Sequence, residues 1–278
     1  MHKENISILM PVHHSTDEVL LDFSLESILF NQTLKPREIV IIGDGYLPNK
    51  VISVIDKYKK ELIETELYFF QLERNYGIAY ALNFGLKKCN YEFIARMDSD
   101  DIAFPYRLEV QLDAIITHNV SICGGWSKKI SYQGHVLGTI KFPQMHSEII
   151  NLLWSNPISH PTVLMRKKDI VEVGSYNPKR KNRDEDWDLW IRCIKSGLRF
   201  YNIQKELIYF RLPKNNINKR SFKNSIFLIF LSLRSMKYSG VQIKAMFFLT
   251  YVLITGILPG RLIHLLNSLL EEFDPRRK

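Results

Sequence analysis

The 278-residue chain is poor in cysteine, which occurs only three times and at wide spacing. Such an odd, scattered set forms neither a disulfide framework nor a Cys-x-x-Cys metal pair, and it indicates a reducing compartment. The composition also excludes disorder, a collagen-like repeat and a small disulfide-stabilised scaffold, because 46% of the residues are hydrophobic and 24% are charged. We therefore expect a globular protein with a substantial buried core.

Long apolar segments are also missing. The most apolar stretch, residues 245–258, is shorter than the roughly 20 residues that span a bilayer, and Pro259, Gly260 and Arg261 interrupt it. The apolar run at residues 6–12 is short and is not followed by a small-residue cleavage site. We therefore expect neither an export signal nor a membrane-spanning helix, which predicts a cytoplasmic protein.

Negatively charged residues are fewer than positively charged ones. Lys and Arg number 38 against 29 Asp and Glu, which gives a formal net charge of +9. A positive field favours anionic partners such as a nucleotide, a diphosphate, an acidic membrane surface or nucleic acid. Because the basic residues are scattered and no nucleic-acid-binding module is recognisable, we expect no nucleic-acid partner.

Short apolar strands alternate with amphipathic helices in the first half of the chain, which predicts an α/β fold with a mostly parallel central sheet flanked by helices. The predicted strands are residues 6–12, 38–42, 67–72, 91–97 and 120–123, and the predicted helices begin near residues 17, 51, 77 and 105. Residues 130–142 resemble a hairpin around Gln133 and Gly134. The polar break at residues 213–216 divides the chain into an α/β domain, residues 1–212, and a C-terminal helical appendage, residues 213–278.

Three carboxylates follow the predicted strand at residues 91–97, at Asp98, Asp100 and Asp101. Their mutual repulsion is relieved by a divalent cation or by nearby arginines. Mg²⁺ and Mn²⁺ take one or two carboxylates together with the oxygens of a substrate phosphate, and open α/β sheets bind ligands beyond the carboxyl ends of their strands. A turn followed by a helix cap would use the same residue types, so the pattern alone leaves both interpretations open.

Asp44 lies between Gly43 and Gly45 at the end of the second predicted strand. Its carboxylate is suited to accept hydrogen bonds from a nucleoside, and the glycines let a ligand approach the backbone. An ordinary turn explains the same three residues. The chain lacks a G-x-G-x-x-G sequence at the start of any predicted helix, so a dinucleotide fingerprint is excluded.

A third acidic cluster, residues 184–188, precedes an apolar helical face that includes Trp187 and Trp190. The dipole at a helix N-terminus stabilises negative charge and explains some of these acids. A carboxylate beside an apolar tryptophan wall is also suited to act as a general base. Four acids are more than a helix cap requires, so we favour a catalytic role for at least one.

The order of these elements resembles glycosyltransferase family 2, the inverting, nucleotide-sugar-dependent group with the GT-A fold. The resemblance covers about residues 5–212, and it is greatest to bacterial enzymes that build O-antigen, capsule or exopolysaccharide repeat units. It is carried by the order and spacing of Pro11-Val12, Asp44, Asn75-x-Gly77-x-x-x-Ala81-Leu82-Asn83, Asp98-x-Asp100-Asp101, Pro105-x-Arg107, His160-Pro161-Thr162 and Glu185-Asp186. The chain departs from the family at His13-His14, where Tyr-Asn is common, and at Gly43, where a second acid often precedes the aspartate.

The resemblance implies roles for individual residues. It implies that Asp186 is the catalytic base and that Glu185 helps to place the acceptor. It further implies that Asp100, with Asp98 and Asp101, holds a divalent Mn or Mg ion. The nucleotide pocket that it implies is bordered or contacted by Pro11, His13, Asp44, Asn75, Asp98, Arg107 and His160.

The reaction implied is transfer of a hexose from a nucleotide-sugar, UDP-linked, to a hydroxyl of a polyprenyl-diphosphate-linked saccharide. Two alternatives are weighed against it. A sugar nucleotidyltransferase needs a glycine-rich, basic loop after the first strand, where this chain has residues 10–19, MPVHHSTDEV. A catalytically silent scaffold is disfavoured because Asp44, Asp100 and Asp186 are all present.

The C-terminal region contains apolar helical segments within residues 221–272, with basic residues at their borders. Such helices suit peripheral attachment to anionic lipid. Packing on the catalytic domain or on a second subunit is the alternative. We expect peripheral contact with the inner face of the cell membrane, because the acceptors implied by the resemblance are lipid-linked.

Overall fold

The computed structural model describes residues 6–179, 184–214 and 222–257. In this part of the chain the strands are β1 (Ile6–His13), β2 (Glu38–Asp44), β3 (Glu66–Gln71), β4 (Phe93–Arg96), β5 (Ile102–Ala103), β6 (Ile122–Ile130), β7 (Val136–Ile140), β8 (Leu164–Arg166) and β9 (Phe200–Arg211). The helices are α1 (Glu18–Leu29), α2 (Asn49–Glu61), α3 (Ile78–Lys88), α4 (Arg107–Thr117), α5 (His146–Asn151), α6 (Lys167–Glu172), α7 (Glu185–Lys195), α8 (Phe222–Ser239) and α9 (Ile243–Ile257). Two 3₁₀ turns cover Leu153–Ser155 and His160–Thr162.

One sheet organises the chain, with its strands in the order β3-β2-β1-β4-β8-β6-β9-β5 and β7 paired with β6. Strands β3, β2, β1 and β4 are parallel neighbours. Strands β1, β2 and β4 are almost wholly buried, which explains why they read as continuous apolar runs. The carboxyl ends of these parallel strands therefore meet at one edge of the sheet.

The second half of the sheet is mixed. Strand β8 is antiparallel to both β4 and β6, whereas β9 runs parallel to β6. The predicted α/β fold is confirmed, and so is the hairpin around Gln133 and Gly134, which joins β6 to β7. The strand predicted at residues 120–123 extends to Ile130. Sequence patterns missed β5, because two residues are too few to show a period; β5 pairs with β9.

Helices cover both faces of the sheet. Helices α1, α2 and α4 pack on one face, and α3, α7, α8 and α9 pack on the other. Asp17 caps α1, since its carboxylate accepts from the backbone N–H groups of Val19 and Leu20. The first turn of α1 is thereby fixed beside the end of β1.

Helices α8 and α9 contact the α/β domain through buried side chains. Leu228, Leu231 and Val252 belong to the same apolar core as Trp187 and Trp190 of α7. Arg234 donates to Asp188 at 3.0 Å, which ties α8 to α7. Within the described part of the chain, no helix has both the length and the apolar content that crossing a bilayer requires. The third apolar segment predicted in this region, residues 261–270, lies outside the described residues.

Candidate active site

Three parallel strands bring predicted site residues to the same edge of the sheet. His13, the last residue of β1, is in register with Asp44, the last residue of β2. Leu9 of β1 is in register with Arg96, the last residue of β4, so Asp98 follows two residues later beside the end of β1. The negative charges of both Asp44 and Asp98 act on the pKa of His13, although burial and the neighbouring His14 lower it overall. His13, Asp44 and Asp98 therefore surround one space.

Asp98 is paired with an arginine from its own strand. Arg96 is buried, and its guanidinium contacts both carboxylate oxygens of Asp98, one of them at 2.6 Å. A two-pronged contact of this kind fixes both side chains. The sequence left open whether a cation or an arginine relieves the repulsion among these carboxylates. For Asp98, the structure shows that an arginine does so.

Asp100 and Asp101 differ in exposure. Asp101 is buried, and its Oδ1 accepts from the backbone N–H of Arg211 at 2.9 Å. Asp100 is partly exposed, and its carbonyl oxygen accepts from the Arg211 side chain. Burial, followed by the charge of Asp98, raises the pKa of Asp100 to about 6. Asp100 is thus the aspartate of this cluster whose carboxylate is left to a ligand.

Asp44 joins two loops at the end of β2. Its Oδ1 accepts from the backbone N–H of Tyr76 at 2.7 Å, and its Oδ2 accepts from that of Gly77 at 2.9 Å. The neighbouring Gly45 has a φ of +87°, and a Cβ there would lie 2.7 Å from the backbone nitrogen of Asn75. Glycine is therefore required at Gly45, because the two loops approach too closely for a side chain.

Asp186 lies in the first turn of α7, which begins after Asp184 in a left-handed conformation at φ +61°. Its Oδ2 accepts from the Asn156 side chain at 2.8 Å, and its Oδ1 accepts from the backbone N–H of Trp187. Burial raises the pKa of Asp186, although the Asn156 hydrogen bond acts in the opposite direction. A partly buried carboxylate with a raised pKa has the properties of a general base.

Glu185 lies next to Asp186 and shares its environment. It is 6% exposed, and its pKa is raised to about 7 by burial and then by the charge of Asp186. Its Oε1 lies 3.7 Å from Nδ1 of His160, which is too long for a hydrogen bond. Burial lowers the pKa of His160 well below the usual range, so the ring is neutral, and its Nε2 lies 2.8 Å from the Tyr176 hydroxyl.

Arg96 connects the two acidic clusters. Its positive charge acts on the pKa values of Asp100, Glu185 and Asp186 as well as contacting Asp98. The backbone N–H of Arg96 donates to the carbonyl oxygen of Val163 at 3.0 Å, and the 3₁₀ turn just before Val163 carries His160, whose Nδ1 lies 3.7 Å from Oε1 of Glu185. The acids after β4 and the acids at the start of α7 are therefore joined through this turn. The structure therefore brings together aspartates that lie almost 90 residues apart in the sequence.

Arg107 lies behind this space. It is fully buried and donates to the carbonyl oxygen of Arg96 at 2.7 Å and to the Gln111 side chain at 3.1 Å. The structure thus places Arg107 against the protein interior, where it supports the backbone of β4. Pro11 is partly buried at the end of β1, and Asn75 is exposed on the loop that Asp44 holds.

Two residues of the site were missed by sequence reasoning. Arg211 contacts Asp100 and Asp101 from the end of β9, and a signal for it exists, because it follows an apolar strand that ends at the same edge. Asn156 holds Asp186 from a left-handed turn at φ +54°. No sequence pattern indicates Asn156, because its contact depends on how the 3₁₀ turn at Leu153–Ser155 packs against α7.

The residues present fit a divalent cation held mainly by its substrate. Within the described part of the chain, no three acidic, histidine or cysteine side chains are grouped to hold a metal on their own. One available carboxylate, Asp100, beside a space for a diphosphate matches the way in which Mg²⁺ and Mn²⁺ are bound by one or two carboxylates and substrate phosphates.

Comparison with known families agrees with this geometry. Residues 7–174 match the family model described as glycosyl transferase family 2. The match covers more than half of the chain, so the chain belongs to that family and is a glycosyltransferase. The family predicted from the sequence is confirmed.

Relatives with assigned roles indicate which kinds of glycosyltransferase the chain is similar to. The chain is 30% identical over 243 residues to an Escherichia coli UDP-Gal:alpha-D-GlcNAc-diphosphoundecaprenol beta-1,3-galactosyltransferase, covering 87% of this chain and 82% of that protein. It is 29% identical to the amylovoran biosynthesis glycosyltransferase AmsE of Erwinia amylovora, covering 94% and 97%. The chain is thus similar to a galactosyltransferase whose name specifies a UDP-Gal donor and a diphosphoundecaprenol-linked GlcNAc acceptor, and to a glycosyltransferase of amylovoran biosynthesis.

Solved structures support the fold. The mannosyltransferase PcManGT of Pyrobaculum calidifontis, solved with GDP-Man and Mn²⁺, superposes with a TM-score of 0.64 at 14% identity, covering 98% of this chain and 82% of that one. S. aureus TarS 1-349, solved with UDP-GlcNAc, superposes with a TM-score of 0.63 at 16% identity, covering 91% and 71%. The predicted GT-A fold is confirmed.

Proposed function

We propose that this protein is an inverting hexosyltransferase, which transfers a sugar from a UDP-sugar to a hydroxyl of a polyprenyl-diphosphate-linked saccharide during synthesis of a cell-surface polysaccharide. The observation that carries the proposal is the position of Arg96, which contacts Asp98 directly and is linked to the acids of α7 through Val163 and His160. The Escherichia coli relative, whose name specifies UDP-Gal and a diphosphoundecaprenol-linked GlcNAc, supports the donor and acceptor classes.

The donor is proposed to lie across the ends of β1, β2 and β4. Asp44 and Asn75 border the uridine, and Pro11 and His13 form the adjacent wall. Asp100 would hold a Mn²⁺ or Mg²⁺ ion, which when bound neutralises the diphosphate leaving group. Arg96 keeps Asp98 oriented beside the same diphosphate, and Arg107 supports Arg96 from behind.

Asp186 is proposed to accept the proton of the acceptor hydroxyl as that oxygen attacks the anomeric carbon. The new bond joins the acceptor oxygen to the anomeric carbon, the bond to the diphosphate breaks on the opposite face, and UDP leaves. A sugar that is α-linked in the donor becomes β-linked in the product. Holding both substrates in line supplies about 7 kcal/mol or more of the acceleration.

The C-terminal region is proposed to contact the membrane that carries the acceptor. Helix α8 has an exposed apolar stripe at helical spacing: Phe222, Ile226, Phe230 and Leu233. On α9, Phe247 is 72% exposed, and the exposed Lys237 at the end of α8 adds positive charge near the helix corner. Apolar faces with basic borders bind anionic lipid at the interface. In this arrangement residues 1–212 catalyse the reaction and residues 213–278 attach the enzyme to the inner face of the membrane.

A transfer assay with the full chain tests the reaction. We expect UDP release from a UDP-sugar in the presence of Mn²⁺ and a lipid-linked GlcNAc-diphosphate acceptor, loss of release on addition of EDTA, and a β-linkage in the product by NMR. Retention of the α-configuration, or activity that EDTA leaves unchanged, contradicts the mechanism. Thermal-shift screening with UDP-, GDP- and dTDP-sugars identifies the nucleotide.

Co-sedimentation with vesicles that contain phosphatidylglycerol tests the membrane contact. The Phe230→Ser/Phe247→Ser variant should bind these vesicles more weakly than the wild type. A matched control replaces Val136 and Leu137, which are exposed on the β6–β7 hairpin, with serine. Equal binding of all three proteins, or no binding by any of them, contradicts the membrane proposal.

A further inference from the structure

A cleft of about 510 Å³ lies between the β6–β7 hairpin and the corner where α8 meets α9. Its lining combines aromatic rings, amide side chains and two lysines, namely Trp126, Lys141, Gln144, Trp154, Gln242 and Lys244. The partly exposed Trp126 ring and the amide side chains suit a sugar, and the lysines suit an anion, whereas Trp154 is 2% exposed and belongs to the buried wall. The cleft lies outside the space enclosed by Asp44, Asp98 and Asp100.

Its positive charge is not neutralised. Lys141 lies over the Trp126 ring, with its Nζ 5.2 Å from the ring centroid. In the part of the chain that the structure describes, neither Lys141 nor Lys244 forms an ion pair. The cleft also contains Glu148, but its Oε2 accepts from the backbone N–H groups of Gln144 and Met145, so it caps α5. Two lysines from separate elements therefore face the same cleft without an ion pair, and they outnumber its single carboxylate, that of Glu148.

The cleft wall is physically connected to the proposed base. The 3₁₀ turn at Leu153–Ser155 supplies Trp154 to the cleft, and the next residue, Asn156, donates to Asp186. The carbonyl oxygen of Leu153 also accepts from the indole N–H of Trp187 at 2.7 Å. The same short turn therefore forms part of the cleft wall and supports Asp186.

An apolar rim borders the same cleft. Val241 and Ile243 are each 78% exposed and flank Gln242, which lines the cleft and donates to the carbonyl oxygens of Asn151 and Ser239. That hydrogen bonding fixes the corner between α8 and α9 against α5. Cationic, aromatic and apolar groups thus follow one another over a short distance.

We propose that this cleft binds the lipid-linked acceptor, with its diphosphate between Lys141 and Lys244. The saccharide extends past Trp126 and along the turn at Leu153–Ser155 towards Asp186, and the lipid chain leaves over Val241 and Ile243. This inference rests on the proposed function for the identity of the acceptor, but the binding of a prenyl diphosphate can be measured without any transfer reaction.

Binding of farnesyl diphosphate to the full chain tests the site directly. Isothermal titration should show binding of farnesyl diphosphate and much weaker binding of farnesol. Lys244→Ala and Lys141→Ala should each weaken the affinity for farnesyl diphosphate by about tenfold, and Lys244→Arg should retain it. The control is Lys205→Ala, which removes an exposed lysine next to the cleft residue Gln204. An equal loss in Lys205→Ala, or equal affinity for farnesol and its diphosphate, overturns the site.

Two further experiments distinguish acceptor binding from phospholipid binding, and the proposed site from the proposed reaction. Displacement of farnesyl diphosphate by phosphatidylglycerol vesicles at the same phosphate concentration assigns the cleft to phospholipid headgroups and overturns the proposal. In the transfer assay, Lys244→Ala should raise the KM for the lipid-linked acceptor while kcat and the affinity for UDP stay unchanged. Transfer with an unchanged acceptor KM overturns the site and leaves the enzyme proposal standing. Diphosphate binding without transfer to any acceptor supports the site and contradicts the proposed function.

Discussion

The acidic residues after β4 and those at the start of α7 flank the same arginine, but their carboxylates have different partners. After β4, Asp98 is paired with Arg96 and Asp101 with the Arg211 backbone, which leaves Asp100 for a ligand. At α7, Glu185 and Asp186 are adjacent carboxylates whose pKa values are raised by burial. The first arrangement suits a cation bound with its substrate, and the second suits the acceptance of a proton.

This difference teaches that residue type alone does not assign a role. The same aspartate is an ion-pair partner, a buried acceptor, a metal ligand or a base according to which donors the fold brings to it. Each variant below changes one cluster and leaves the other intact.

The largest expected effect is at Asp186. Asp186→Asn removes the proton acceptor while keeping the side-chain shape and one of the two accepted hydrogen bonds, so kcat should fall by about 10²- to 10⁴-fold. Binding of UDP with Mn²⁺ should remain unchanged, since the β4 cluster is intact. Steady-state kinetics and a titration of UDP measure the two quantities. Turnover close to that of the wild type removes Asp186 as the base.

A smaller effect is expected at Asn156, which orients Asp186. Asn156→Gly keeps the left-handed backbone but loses the hydrogen bond that lowers the pKa of Asp186. The acidic limb of the kcat/KM profile should therefore move to higher pH, and the rate at the optimum should fall by about tenfold. The control is Asn119→Gly, because Asn119 also has a left-handed backbone, with φ +45°, and is exposed. An unchanged limb in Asn156→Gly shows that Asn156 does not act on the base.

The opposite shift is expected at Glu185. Glu185→Gln removes the carboxylate whose pKa is raised to about 7 by burial and by the charge of Asp186. Because a like charge next to Asp186 is removed, the ionised form of Asp186 is favoured, and the acidic limb should move to lower pH while an acidic limb is retained. Loss of all activity, together with normal UDP binding, would instead make Glu185 the base.

The smallest effect concerns stability. The pKa of Asp100 is raised from 3.8 to about 6 in the folded protein, so stability is lost as the pH rises through this interval, and the full cost is present above about pH 6. In EDTA at pH 8, Asp100→Asn should stabilise the protein by about 1 to 3 kcal/mol, and the gain should vanish below pH 4, where both states hold the proton. Urea denaturation measures this, with the exposed Asp113→Asn as control. A gain that persists at low pH contradicts the electrostatic cause.

The two clusters also differ in how far the sequence predicts them. The acids after β4 follow a buried strand, so their place at the carboxyl edge of the sheet is predictable. The different partners of these acids are not predictable, because they depend on the Arg96 side chain and on Arg211. Arg211 lies at the end of β9, more than 100 residues later in the sequence. At α7, helical spacing predicts the start of the helix, whereas the support from Asn156 depends on tertiary packing. Local sequence patterns also do not predict the short strand β5 or the mixed parallel and antiparallel pairing of β8, β6 and β9.

The central claim is that the β4 cluster binds the donor and its cation while the α7 cluster accepts the proton. Titration of UDP into Asp100→Asn and into Asp186→Asn, each with and without Mn²⁺, tests it most directly. The claim predicts that Asp186→Asn binds UDP as the wild type does and with the same dependence on Mn²⁺, whereas Asp100→Asn loses that dependence. Equal weakening of Mn²⁺-dependent binding in both variants, or none in either, would contradict it.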